Sequence, residues 1–176
     1  MKEKLVKLIP EFNLIKDGRL KEAAINVFSE AITKGGWEVE DLDKIPFTLL
    51  IKDCKISFLK HTRGVVETCI NSAKVLKDTY TNDVHINMDH LICGAILHDV
   101  GKLLEYKKDS KGYSKSKCGE FLRHPFSGMG IAFGKGIPDE VLHIIAVHSK
   151  EGDGGKRSPE AVILHHADFT NFEIFH

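Results

Sequence analysis

The chain lacks net charge: 25 lysines and arginines stand against 25 aspartates and glutamates, and the pI is near 7.1. That balance excludes a strongly basic protein that coats nucleic acid, and an acidic tail, but not a small pocket of local charge. Paired cysteines are lacking too. Cys54, Cys69, Cys93 and Cys118 are scattered without a Cys-x-x-Cys element, which argues against a zinc ribbon or a thioredoxin-type motif. No long apolar run is present, since Leu91 to Leu97 is interrupted by Gly94 and falls far short of a membrane span. The first residues mix charge into their apolar stretch and show no signal-peptide pattern. Internal repeats and low-complexity blocks are missing as well. The expectation is a soluble, cytoplasmic domain; 176 residues with 42% hydrophobic content suffice for a packed core.

Histidine, by contrast, is abundant, with ten residues in the chain. Hydrophobic periodicity shows where they fall. Leu20 to Ile32 carries apolar residues at helical spacing and is stopped by Gly35-Gly36. Trp37 to Pro46 reads as a short helical turn leading into an extended Phe47 to Ile51. A second amphipathic helix starts at His61 and ends near Thr79. A third, capped by Asp89, runs from His90 to about Leu104 and is apolar on nearly every side. The Lys-rich segment from Tyr106 to Lys117 reads as an exposed loop. A fourth helix spans about Cys118 to Phe133, with Pro125 near its start or at a kink. Pro138 opens a fifth that reaches His148, and Ser158-Pro159 starts a last one through about Asn171. The pattern predicts an all-α, single-domain helical bundle with no strand.

The chemistry follows the helices in order. His61 opens the second, His98-Asp99 lies late in the third, His124 in the fourth, His148 at the end of the fifth and Asp168 on the last. Imidazole and carboxylate together suit Mn, Fe, Co, Ni or Zn, and bundles hold such ions with inward-pointing side chains on facing helices. A lone helical histidine is ordinarily a surface or core residue. The adjacent pair alters that weighting, because Asp99 follows the apolar Gly94-Ala95-Ile96-Leu97, where a carboxylate is costly unless paired or metal-bound. Gly101 removes side-chain bulk beside the pair, and Lys102 offers a cation one turn on.

Leu97-His98-Asp99-Val100-Gly101-Lys102, with His61 upstream and Asp168 downstream, resembles the HD superfamily of metal-dependent phosphohydrolases over roughly Phe58 to Phe172. His124-Pro125-Phe126-Ser127-Gly128 is similar to the His-x-x-x-Gly element of members with two metals. Ile145-Ala146-Val147-His148 is similar to their next element, with Ser149 where many carry a second histidine. The Gly-Tyr-Pro tripeptide of the cyclic-di-GMP-hydrolysing branch is missing, and Gly154-Gly155-Lys156 stands near its place. Ser158 to Asp168 resembles the last helix of HD domains in bacterial 3′-to-5′ exoribonucleases, whose oligonucleotide-binding domain has no counterpart here.

The resemblance implies an HD metal-binding domain over residues 58–176, with a helical extension, 1–57, packing on it. It implies two divalent transition metal ions (Fe, Mn, Co, Ni or Zn). His61, His98 and Asp168 would hold one, His124 and His148 the other, and Asp99 would bridge them. The implied activity is hydrolysis of a phosphate ester of a small nucleotide-like substrate, by a water deprotonated between the ions. A nucleic acid would fit only as a short oligonucleotide, and no membrane partner is implied. Asp99 and Lys102 would be catalytic. Lys102 would bind a phosphate oxygen or remain a solvated lysine at a helix end. His165, one turn before Asp168, would contact substrate or form a hydrogen bond behind the ligands. Arg63 and Arg123 adjoin ligand positions and could help hold an anionic substrate, but read better as surface residues. His85, His90, His143, His166 and His176 read as structural or surface residues. The same ligand order occurs in HD-fold di-iron oxygenases, and a nucleotide-sensing module is a third class. The predominance of hydrolases in the superfamily favours the first.

Overall fold

A computed structural model describes residues 1–110 and 112–175; His176 lies outside the described residues. Apolar side chains three and four positions apart form helices α1 (Lys2–Leu8), α2 (Gly18–Gly35), α3 (Phe58–Tyr80) and α4 (Met88–Leu97). After them come α5 (Lys102–Glu105), α6 (Lys117–Phe121), α7 (His124–Ala132), α8 (Asp139–Val147) and α9 (Pro159–Glu173). Side chains of Asp17, Ser57, Asn87, Ser116 and Ser158 accept first-turn backbone N–H groups and so set where five of these helices begin. Gly36, at φ 72°, takes the left-handed conformation that ends α2.

Helix α4 is central because Leu91 to Leu97 is buried throughout. Helices α2, α3, α8 and α9 pack around it. The residues ahead of α3 share this core, since Leu5, Phe12 and Phe28 belong to one apolar cluster with Leu91, Ile96 and Ile144. Phe28 meets Phe12 and Phe58 edge-on at 6.0 and 6.1 Å. Polar ties reinforce the contact. Trp37 Nε1 donates to the Leu103 carbonyl at 2.7 Å. The Asp89 carboxylate accepts the N–H groups of Lys16 and Asp17 at 3.0 and 2.8 Å.

The all-α reading holds, and four local expectations are corrected. Asn87, not Asp89, caps α4, because Asp89 is engaged by residues 16 and 17. The expected single helix from His90 to Leu104 stops at Leu97, and α5 begins at Lys102. Between them Val100, Lys102 and Leu103 donate to carbonyls only three residues back, so the winding tightens at the His98-Asp99 pair. The expected helix from Cys118 to Phe133 is two, α6 and α7. Pro125 has no N–H to continue the ladder and its ring would strike the carbonyl four residues back, so it sits in the first turn of α7 instead. The expected loop from Tyr106 to Lys117 holds an antiparallel hairpin, β1 (Tyr106–Asp109) and β2 (Gly112–Lys115), paired from Tyr106↔Lys115 to Asp109↔Gly112. β1 is exposed after Tyr106 and β2 is largely half-buried, so neither strand has a buried alternation to mark it in the sequence. Among the described residues, no helix is long and apolar enough to cross a membrane.

Candidate metal centre

The tight turn after α4 drives Asp99 inward until it is 1% exposed. Its two oxygens face opposite ways. Oδ2 lies 3.3 Å from His98 Nε2 and 3.5 Å from His61 Nε2, while Oδ1 lies 3.3 Å from His124 Nε2 and 3.8 Å from His148 Nε2. Asp168, from α9, completes the first side with Oδ1 at 3.0 Å from His61 Nε2 and 3.8 Å from His98 Nε2. All six expected ligands therefore converge on one place. Two groups, His61-His98-Asp99 and Asp99-His124-His148, each hold their ligand atoms within 4.8 Å of one another.

The hydrogen bonds fix which imidazole nitrogens are bare. His98 Nδ1 lies 2.7 Å from the Ala95 carbonyl and His148 Nδ1 lies 2.8 Å from the Ile145 carbonyl. A carbonyl only accepts, so each Nδ1 carries a proton, and in the neutral imidazole each Nε2 then presents a lone pair. His124 Nδ1 faces the Glu105 carboxylate at 3.1 Å, with the same consequence. Nε2 of His124 and Nε2 of His148 stand 3.3 Å apart, and with the proton of each neutral ring on Nδ1 neither has one to donate to the other. His98 Nε2 and Asp99 Oδ1 are buried without a hydrogen bond. Lone pairs facing each other in a dry interior repel, and a cation removes that cost. The donor set, imidazole nitrogen with carboxylate oxygen, fits a divalent transition metal.

Electrostatics agree. Burial opposes the charged form of Asp99, yet the Lys102 ammonium and His98 hold its carboxyl well below the usual carboxylate range. Burial likewise opposes ionised Asp168, and His61 and His98 hold it low. Burial pushes His124 down to about 4 and also lowers His61, which keeps both neutral at neutral pH, whereas the Asp99 and Asp168 carboxylates raise His98 against its burial, a charge that a bound cation would replace.

The remaining expected residues are placed as follows. Lys102 is buried, with Nζ 2.6 Å from Asp99 Oδ2 and 2.7 Å from the Phe47 carbonyl oxygen; the solvated-lysine alternative is therefore wrong. His165 Nδ1 donates to the His148 carbonyl at 2.7 Å, a hydrogen bond behind a residue expected as a ligand. Arg123 is half-exposed, and beyond the surface reading it bonds Glu105 and Glu151. Arg63 pairs with Glu11 at 2.6 Å, on the wall of a second cavity beside His61. His143 accepts the Ser158 N–H at 3.2 Å, His166 lies against His165, His90 stands in the first turn of α4 and His85 is exposed.

A cavity of about 570 Å³ opens over the centre, lined by Lys102, His124 and Asp168 and, on its apolar side, by Phe47, Phe169 and Phe172. Sequence reasoning missed Phe47 and Glu105. Phe47 stacks on His61 with centroids 4.5 Å apart, a contact no local pattern announces. Glu105 did leave a signal: a lone carboxylate between Leu103-Leu104 and Tyr106, one turn past the motif.

Residues 58–170 match the model of the HD domain. The chain is similar to dihydroneopterin 2′,3′-cyclic phosphate phosphodiesterase of Methanocaldococcus jannaschii, 31% identical over 119 residues, which is 66% of this chain and 46% of that protein. The chain thus matches less than half the length of this curated relative. No solved structure gives a significant match. A match over well over half of its length, with the ordered histidines and aspartates converging on Asp99, shows that the chain belongs to the HD domain family.

Proposed function

We propose that the protein is a metal-dependent phosphoric ester hydrolase, cleaving a small phosphorylated, nucleotide-like substrate at a centre of two divalent transition metal ions. His61, His98 and Asp168 would hold one ion, His124 and His148 the other, and Asp99 would serve both. The observation that carries the reading is the approach of His124 Nε2 and His148 Nε2 to 3.3 Å beside the buried, unbonded Asp99 Oδ1. Family membership and the relative's phosphodiesterase activity support the class of reaction, and its cyclic phosphate substrate supports a cyclic diester as the first compound to try. When bound, the ions would supply Lewis acidity, acidifying water and offsetting charge on phosphoryl oxygens.

The chain's own residues have distinct tasks in this reading. Asp99, held ionised, keeps a carboxylate oxygen on each side of the centre. Lys102 spends two hydrogen bonds on Asp99 and Phe47, leaving its third N–H for a phosphate oxygen at the cavity wall. Phe47, Phe169 and Phe172 offer an apolar wall to a planar group and keep water from that side. His165 has only Nε2 left for substrate. Residues 1–57 act as an extension that completes the bundle, a role supported by their share of the core and by the contact of Phe47 with His61.

The test uses the purified chain, metal-loaded, against 2′,3′-cyclic and linear phosphodiesters and phosphomonoesters, with oxygen uptake recorded alongside. Ester cleavage that is abolished by chelator and by Asp99→Ala is expected. Substrate loss coupled to oxygen consumption, without ester cleavage, would overturn the reading in favour of an oxygenase.

A further inference from the structure

Glu105 ends α5 with its side chain 1% exposed, and no ligand role has been assigned to it. A buried carboxylate demands partners, and those of Glu105 gather behind His124. Oε2 accepts the backbone N–H of His124 at 2.8 Å and lies 3.1 Å from its Nδ1. Oε1 accepts from Nη1 of Arg123. Arg123 Nε donates to Glu151 Oε1 at 2.8 Å, and Glu151 Oε2 accepts the hydroxyl of Ser149, the residue after His148. A chain of charge-assisted hydrogen bonds therefore starts on one imidazole and ends beside the other.

The two imidazoles differ in how they depend on it. His148 has its Nδ1 bonded to the Ile145 carbonyl of its own helix. His124, at the first position of α7, has no such carbonyl in the preceding turn, and no side chain of the N-cap residue Arg123 satisfies the helix start. Glu105 supplies both needs: it accepts an N–H that the helix leaves unpaired, and it takes the Nδ1 proton. Gly119 makes room for this, because a Cβ there would stand 2.8 Å from Glu105 Cγ and 2.2 Å from its carbonyl oxygen.

We propose that Glu105 is a positioning residue for the second metal ion: it locks His124 as the tautomer with bare Nε2 aimed at Asp99, and Arg123 with Glu151 holds Glu105 in place. The inference rests on the two-ion reading above. A glutamine cannot substitute, since its amide would offer a donor either to the His124 N–H groups or to Arg123.

The experiment is a Co²⁺ titration of the chelator-treated full chain, followed by calorimetry and by the Co²⁺ absorption spectrum, with thermal unfolding in chelator beside it. Wild type should take two ions. Glu105→Gln should keep the tighter or looser affinity belonging to the His61-His98-Asp168 side and lose about 10- to 100-fold at the other, with an altered spectrum. Arg123→Gln, at a half-exposed position, removes support one step back and should weaken the same ion by about tenfold; it carries the test if Glu105→Gln does not fold. Two ions bound with wild-type affinities and spectrum in the folded variants would overturn the inference while leaving the two-ion reading intact. A wild type that binds fewer than two ions would overturn that reading, and the inference with it.

Discussion

Lys102 Nζ lies 2.6 Å from Oδ2 of Asp99, and both side chains are buried. The same ammonium accepts no solvent role, because it also donates to the Phe47 carbonyl at 2.7 Å. Burial pulls the Lys102 pKa down, but the Asp99 carboxylate more than reverses this and holds it above the ordinary lysine value, so it stays charged. Lys102 is thus the resident counter-charge of the carboxylate that two metal ions would share, and it ties the segment entering at Phe47 to the motif.

Replacing Lys102 by Met strands Asp99 without its cation. In chelator the variant should lose about 3–5 kcal/mol in urea unfolding, the usual cost of removing one partner from a buried pair. Added Mn²⁺ should recover part of that loss, since metal would supply the missing positive charge. An equal loss with and without Mn²⁺ would mean that Asp99 is not a metal ligand.

Gly101 permits the approach of the motif to α7. A Cβ at this position would stand 2.1 Å from the His124 carbonyl oxygen and 2.6 Å from the Gly128 nitrogen, both backbone atoms that cannot swing aside. Gly101→Ala should therefore displace His124, lowering stability by about 1–3 kcal/mol as overpacking does and reducing the number of ions bound. Gly130→Ala is the control: nothing lies within 4 Å of its would-be Cβ, so relief of glycine's entropy cost in α7 should stabilise by up to about 1 kcal/mol. Urea midpoints and metal content measured on the two variants check the contrast.

Phe47 is fully buried, stacked on His61 at 4.5 Å and edge-on to Phe172 at 5.9 Å. Phe47→Ala should cost about 3–5 kcal/mol in urea unfolding. Phe47→Leu, which fills most of the space, should keep the fold but weaken metal binding on the His61 side, because a ring face no longer fixes the imidazole plane. Unchanged Co²⁺ affinity in a folded Phe47→Leu would show that the stack has no part in orienting His61.

How much of this was legible in the sequence depends on the range of the interaction. The six converging side chains were readable because each sits at a fixed point of a periodic helix, and their order along the chain survives folding. Asn87 and the break at Leu97 were not, since both are decided by partners far away: Asp89 is drawn off by the backbone of residues 16 and 17, and the turn at His98 is shaped by packing around α4. The hairpin escaped because its strands, exposed or only half-buried beyond Tyr106, need no apolar alternation. Arg123 escaped for the opposite reason. Its neighbours in sequence say surface, and only the carboxylates of Glu105 and Glu151, contributed by other segments, give the half-exposed side chain its bonds.

Glu151 gives the network at the cavity mouth a pH signature. Burial pushes its carboxyl up, but the Ser149 hydroxyl and the Arg123 guanidinium outweigh that and bring it down to about 2. An unfolded glutamate titrates near ~4.3. Between these values the unfolded chain binds the extra proton, so this contribution to stability is complete above about pH 4.3 and is lost as pH falls toward 2. Glu151→Gln removes the titrating group while keeping its shape. Urea unfolding of the chelated proteins at pH 6, 4 and 3 should find the variant less stable at pH 6, and the gap to wild type should close as the pH drops. A gap that stays constant across that window would mean that Glu151 contributes by packing alone, and that its bonds to Arg123 and Ser149 add nothing charge-dependent.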